Sequence, residues 1–169
     1  MYNLFFDLDD TILNLTHKEK SILNNYLKFG NVTEKEIKKA YSNISSRKTL
    51  KNLLQLIDNP KFILTNAKKI HAVLSLYNMD LLDNFNYIID RDMVRCMKPN
   101  IQAYLLAMKM TGINKPEECF LFDDQLPNLI TAKIVGWNTI FIGNSNLYHN
   151  SVDFSFNNIY DALVFFLKN

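Results

Sequence analysis

NLFFDLDDTIL, residues 3–13, is the stretch on which the reading of this chain turns. Its first half, Asn3–Leu8, is apolar without alternation, the pattern of a strand covered on both faces of a parallel sheet. Asp7, Asp9 and Asp10 leave that run together, with Thr11 behind them. Close carboxylate pairs repel by roughly 4 kcal/mol each at an effective dielectric of 20, so something must offset them. A divalent cation is one solution, and an all-oxygen donor set suits Mg²⁺. A surface turn, where aspartate is favoured, is the other. Taken alone, the cluster fits both.

Working outward, four more short apolar runs follow: Lys61–Thr65, Tyr87–Ile89, Cys119–Phe122 and Thr139–Ile142. Amphipathic stretches at Lys68–Tyr77, Ile101–Met110, Leu126–Val135 and Asn157–Leu167 are expected helices. Pro99 and Pro127 are placed for first helical turns and Gly136 for a C-cap. Runs alternating with helices predict an α/β fold, a three-layer sandwich around a mainly parallel sheet. Residues 14–58 differ, with no strand-like run. Helices are expected over Lys18–Phe29, ended by Gly30, over Glu34–Ile44, and over Leu50–Ile57, stopped by Asn59-Pro60. Thr33 and Glu36 have capping-box spacing. A helical insertion after the first strand predicts a lid over the carboxyl ends of the strands, where such sheets bind ligands.

A second acidic pair makes a turn a poor explanation for the first. Asp123-Asp124 also ends an apolar run, and two neighbouring strand ends can converge on one ion. Thr65-Asn66 ends another run, bringing a hydroxyl and backbone N–H groups near a helix start, a setting that favours phosphate. Lys98, ahead of Pro99, offers positive charge, although one solvated lysine among many is the plainer account.

Bulk properties limit the alternatives. The chain has 169 residues, 48% hydrophobic and 21% charged, ordinary for a single globular domain. With 19 Lys+Arg against 17 Asp+Glu the net charge is +2, which gives no electrostatic case for a nucleic acid polymer as partner. No apolar run approaches the roughly 20 residues needed to span a bilayer, and MYNLFF lacks the basic start of a signal peptide. Two cysteines, Cys96 and Cys119, make a disulfide framework or a catalytic thiol improbable, so a reducing cytoplasm is expected.

These residues carry a resemblance. FDLDDTIL (6–13) resembles motif I of the haloacid dehalogenase (HAD) superfamily, Thr65 in FILTN motif II, Lys98 in CMKPN motif III, and Asp123-Asp124 in FLFDD the double-aspartate form of motif IV. Within the superfamily, FILTNAKKIHAVLSLYNM, CMKPNIQAYLLAM and FLFDDQLPNLITAKIVGW, the last with Asn128, look like the pyrimidine 5′-nucleotidase branch. The resemblance implies a HAD-like Rossmannoid core over 1–13 and 47–169, with a reduced helical cap over 14–46. It implies Mg²⁺-dependent hydrolysis of a small phosphomonoester through an aspartyl-phosphate. Asp7 would be the nucleophile, and Asp9 the acid and base, a role that requires burial under the cap. Thr65, Asn66, Lys98 and Asp10 would meet the phosphate and substrate. Asp7, Asp9 (through its carbonyl), Asp124 and Asp123 would hold Mg²⁺. His71 is read as a structural helix residue.

Two departures bear on substrate. Gln125 stands where serine is usual, and the cap is short, its later helices missing. Nucleoside 5′-monophosphates lead as substrates, with sugar phosphates or a broad range as the alternative. A phosphomutase needs a better-closing lid, and an inactive binding module would be expected to have lost Asp7, Asp9, Lys98 or Asp124. The protein is expected to be a monomer, or a homodimer that completes the cap through Tyr26, Phe29 and Tyr41, unless those residues pack between cap helices.

Overall fold

The computed structural model describes residues 2–16, 19, 34–94 and 96–168. At its centre lies β1 (Asn3–Phe6), flanked by β2 (Lys61–Leu64) and β4 (Cys119–Asp123). The outer strands are β3 (Tyr87–Ile89), β5 (Asn138–Ile142) and β6 (Phe154–Phe156). All pairings are parallel and the order is β3-β2-β1-β4-β5-β6. The order reverses between β1 and β4, and the carboxyl ends of those strands open the crevice in which doubly wound sheets bind ligands. Phe6 lies level with Ile63 on one side and Phe122 on the other, so Asp7 and Asp123 emerge side by side. This is the expected α/β architecture.

The described helices are α1 (Glu34–Tyr41), α2 (Lys48–Gln55), α3 (Lys69–Asn78), α4 (Ile101–Thr111), α5 (Leu126–Val135) and α6 (Ile159–Lys168). Successive strand residues face opposite sides of a sheet, and β1 feeds two separate cores accordingly. Leu4 and Phe6 pack with Leu50 and Leu54 of α2, Ala72 and Leu76 of α3, and Ala162 and Leu163 of α6. Phe5 packs on the other side with Tyr104 and Ala107 of α4, Leu129 and Ala132 of α5, and Trp137. The Phe5 and Trp137 rings stand 4.6 Å apart. That two-sided burial is why the strand runs are continuous rather than alternating.

Several boundaries differ from expectation for local reasons. Asn100 caps α4, its side chain accepting from the Gln102 N–H at 2.9 Å. Pro99 therefore sits ahead of the cap instead of inside the first turn. Gly112 ends α4 and Gly136 ends α5, at φ of 73° and 96°, left-handed values that a residue with a Cβ rarely adopts. The short β6 is an element that the sequence pattern does not reveal. Of the expected first helix only Glu19 lies within the described residues; Thr33, the proposed cap of α1, lies outside them. A reciprocal capping box is present at Thr16–Glu19: Glu19 Oε2 accepts from the Thr16 N–H at 2.7 Å, and Thr16 Oγ1 accepts from the Glu19 N–H at 3.3 Å. Among the described residues no helix is long and apolar enough to cross a membrane. Cys96 and Cys119 are free thiols, and burial pushes the Cys119 thiol up to about 12.

Candidate active site

The turn after β1 aims the acidic cluster. Ile12 and Leu13 both donate backbone N–H groups to the Leu8 carbonyl, and Asp10 N–H donates to the Leu13 carbonyl at 3.1 Å. Asp10 occupies the tip at φ 63°, a conformation that aspartate tolerates better than most residues. Buried Leu8, Ile12 and Leu13 anchor this loop in the core. Asp7 consequently lies inside, while Asp9 and Asp10 are exposed on the rim.

Lys98 is the hub. Its ammonium donates to Asp7 Oδ1 at 2.9 Å and to Asp123 Oδ2 at 2.6 Å, and it is buried. Burial works against its charge, but Asp123 and Asp7 together hold its proton above the ordinary lysine range. The Asn66 side chain sets its position: Nδ2 donates to the Lys98 carbonyl at 2.8 Å, and Oδ1 accepts from the Lys98 N–H at 2.9 Å. This pair of hydrogen bonds between the end of β2 and the lysine loop makes Lys98 a fixed group and not a solvated one. Thr65 is buried beside it, its hydroxyl accepting from the Ala67 N–H at 3.0 Å.

The acidic pair at the end of β4 divides its labour. Asp123 is fully buried and both its oxygens are taken. Asn128 Nδ2 donates to them at 2.9 and 3.0 Å, and the Gln125 N–H donates to Oδ1 at 2.8 Å. Asn128 is fixed in turn by its place in the first turn of α5, where Tyr104 Oη donates to its carbonyl at 2.8 Å. Asp124 lies at the cleft, with Gln125 Nε2 donating to it at 2.5 Å. A cleft of about 320 Å³ is lined by Asp7, Asp9, Asp10, Thr65, Asn66, Asp124, Gln125 and Asn128, among others. The structure therefore brings together every residue that the sequence nominates.

Whether these residues fit a cation can be judged from their charge. Asp7, Asp123 and Asp124 each offer an oxygen within 4.8 Å of the others. Burial, opposed by Lys98 and reinforced by Asp123, pushes the Asp7 carboxyl up to about 7. Burial also raises Asp124, against the hydrogen bond from Gln125. One lysine thus leaves the carboxylates under-compensated. The donors are all oxygen, so the set fits a hard divalent ion such as Mg²⁺.

His71 is the site residue whose surroundings the sequence does not disclose. It lies in the first turn of α3, as expected of a helix residue, but Nε2 is 2.8 Å from Asp9 Oδ1 and Nδ1 is 2.6 Å from Tyr41 Oη. Its partners are 62 and 30 residues away, and no local pattern reports contacts at that range. Tyr41 is buried, which assigns it to packing and not to an exposed dimer face, while Tyr26 and Phe29 lie outside the described residues.

The family profile described as haloacid dehalogenase-like hydrolase matches residues 30–136, a span that includes Thr65, Lys98 and Asp123-Asp124 and begins after Asp7. The chain belongs to the haloacid dehalogenase-like hydrolases. A curated protein of Bacillus subtilis (strain 168), "Putative phosphatase YhcW", is 38% identical over 69 residues, 41% of this chain and 31% of that protein. The match thus spans about a third of that relative's length. Among solved structures, a HAD phosphatase from Thermococcus onnurineus superposes at TM-score 0.70 with 21% identity over 98% of each chain. An L-2-haloacid dehalogenase from Xanthobacter autotrophicus superposes at 0.72 with 14% identity, again over 98% of each. At such identities the likeness concerns the fold alone, and chemistry must be argued from the site.

Proposed function

We propose that the protein is a Mg²⁺-dependent phosphatase that hydrolyses small phosphomonoesters through an aspartyl-phosphate on Asp7. The observation that carries this reading is the meeting of Asp7, Asp123 and Asp124 within 4.8 Å of one another, with buried Lys98 donating to Asp7 at 2.9 Å and to Asp123 at 2.6 Å, beside an open cleft that Asp7 and Asp124 line. Phosphoryl transfer needs positioning and charge neutralisation more than covalent elaboration, and those are what fixed, buried charges supply.

In this mechanism an Asp7 carboxylate oxygen attacks phosphorus as the ester oxygen departs, and Asp9 gives that oxygen its proton. Asp9, now a carboxylate, takes a proton from water, and the resulting hydroxide attacks the phosphorus of the aspartyl-phosphate. Inorganic phosphate leaves and the Asp7 carboxylate is restored. Thr65, the Asn66 N–H and Lys98 bind the phosphoryl oxygens, with Asp10 at the cleft rim facing the substrate. Asp7, Asp124 and the Asp9 carbonyl would hold Mg²⁺, and Asp123, its oxygens already occupied, would act mainly by fixing Lys98. Bound Mg²⁺ would supply charge for the phosphoryl oxygens that one lysine cannot.

Residues 14–46 form the reduced cap in this reading, and 1–13 with 47–169 the catalytic core. Nucleoside 5′-monophosphates are the leading substrates and the protein acts in the cytoplasm, as a monomer or homodimer. The side chain of Asp9 is 51% exposed and lacks the burial under a cap that its acid role was expected to need, an openness that favours a second reading, a broad-specificity or sugar-phosphate phosphatase. Phosphate release should be measured over UMP, CMP and a set of sugar phosphates, with Mg²⁺ or EDTA. Release abolished by Asp7→Asn and by EDTA is expected. Activity that survives either would sink the mechanism, and a preference for sugar phosphates would overturn the nucleotidase assignment alone.

A further inference from the structure

Three elements distant in sequence meet behind Asp9. The turn after β1 brings Asp9, the first turn of α3 brings His71, and the last residue of α1 is Tyr41. Tyr41 Oη lies 2.6 Å from His71 Nδ1, and His71 Nε2 lies 2.8 Å from Asp9 Oδ1. The tyrosine and histidine rings pack edge to face with centroids 5.6 Å apart. Exposure rises along the chain of contacts: Tyr41 is 2% exposed and the side chains of His71 and Asp9 are 17% and 51%. A buried brace therefore ends on a half-exposed carboxyl at the mouth of the cleft.

We infer that His71, braced by Tyr41, is a positioning residue that holds the Asp9 carboxyl in place at the mouth of the catalytic cleft. The inference rests on the phosphatase reading above, in which Asp9 protonates the departing oxygen. The hydrogen-bond directions form one consistent set. Burial, with the charge of Asp9 adding to it, pushes the Tyr41 phenol up to about 12, so it stays protonated and donates to Nδ1. Nε2 then carries the ring hydrogen and donates it to Asp9 Oδ1. Unbraced, a half-exposed aspartate would sample several rotamers, and misplacing a catalytic group by about 1 Å can cost about 100-fold. Because Tyr41 belongs to α1, the brace also ties the segment between the first two strands to the group that acts on the leaving oxygen.

The test exploits the leaving group. An alkyl phosphate expels a poor leaving group that needs Asp9, whereas p-nitrophenyl phosphate expels a phenolate stable enough to leave without a proton. His71→Ala is expected to lower kcat for an alkyl phosphate about 10- to 100-fold with KM little changed, and to alter kcat for p-nitrophenyl phosphate less than about 3-fold. His71→Gln, whose amide can donate from near the position of Nε2, should recover part of the loss. Tyr41→Phe, which keeps the ring packing, should give a smaller loss with the same leaving-group dependence, and it carries the test if His71→Ala misfolds. Equal losses on both esters, or an effect on KM alone, would reduce His71 to a packing residue. Asp7-dependent release indifferent to both positions would overturn the brace and leave the phosphatase reading standing. No release by the wild type from either ester would instead overturn the phosphatase reading, and the positioning role with it.

Discussion

Lys98 is stabilised by charges that it also keeps from repelling one another. Removing one partner from a buried ion pair leaves an uncompensated charge, at a cost of about 3–5 kcal/mol. Lys98→Met keeps the aliphatic stem and should destabilise the metal-free protein by that order while abolishing phosphate release; urea unfolding with a parallel activity assay checks both. Were stability unchanged, the ion triad would not exist in solution. Asn66 acts one step back from the ammonium. Asn66→Ala removes both hydrogen bonds to the Lys98 backbone, each leaving a partner to be satisfied by water, for an expected loss of about 1–3 kcal/mol. Since the amide holds Lys98's backbone and not its charge, kcat should fall at least about 10-fold, and Asn66→Asp, which keeps only the acceptor, should recover little. Unfolding midpoints and steady-state kinetics of the two variants measure this.

Glu19 shows an element held by a single carboxylate. It accepts from Thr16 N and Oγ1 and from Ser45 N and Oγ, and lies 3.7 Å from Arg47, so one side chain joins residues at the two ends of the proposed cap. Burial pushes the Glu19 carboxyl upward, but the hydrogen bonds from Thr16 and Ser45 outweigh it and hold it below the usual 4.5. A carboxyl depressed in the folded state adds stability above its unfolded value, and that stability is lost as pH falls through the folded value. Glu19→Gln should therefore cost about 1–2 kcal/mol at pH 7, and the gap to wild type should close as pH falls below the usual 4.5 and through the lower folded value. Denaturant titrations at several pH values would reveal a pH-independent gap if the carboxylate is not the cause. Elements of this chain were legible in sequence to the extent that local chemistry defines them. The runs ending at Leu8, Thr65 and Phe122 declare strands because both faces are covered, and the polar residues that end them declare the site. β6 is three residues long and half-exposed, too short for any period to register. Pro99 reads as a helix start only until Asn100 is seen to cap α4. The His71–Tyr41 and Asn66–Lys98 contacts join elements 30 or more residues apart, and only the assembled sheet brings them within reach.

At the scale of the whole molecule, the site works against the fold that carries it. The strand reversal between β1 and β4 forces Asp7 and Asp123 together, and burial pushes the Asp7 carboxyl up to about 7, well above its unfolded value of 3.8. A carboxyl raised in the folded state takes up protons that the unfolded chain releases, so stability is full below about pH 4 and is lost progressively as pH rises through about 7. Asp7→Asn removes that titration. In EDTA its stability curve should be flatter than that of wild type between pH 4 and 7, and Asp7→Asn should be the more stable protein at pH 7. Mg²⁺ should reverse the order. Binding to the folded state alone adds about 2.7 kcal/mol at one hundred times the dissociation constant, and about 2–4 °C per kcal/mol is expected for a chain of this size. Wild type should thus rise by roughly 5–10 °C on saturation, while Asp7→Asn, lacking a full ligand charge, should move much less. Thermal unfolding of both proteins with EDTA and with saturating Mg²⁺ decides the matter. Equal shifts would place the cation away from Asp7, and no shift in either would leave Lys98 alone to balance three carboxylates.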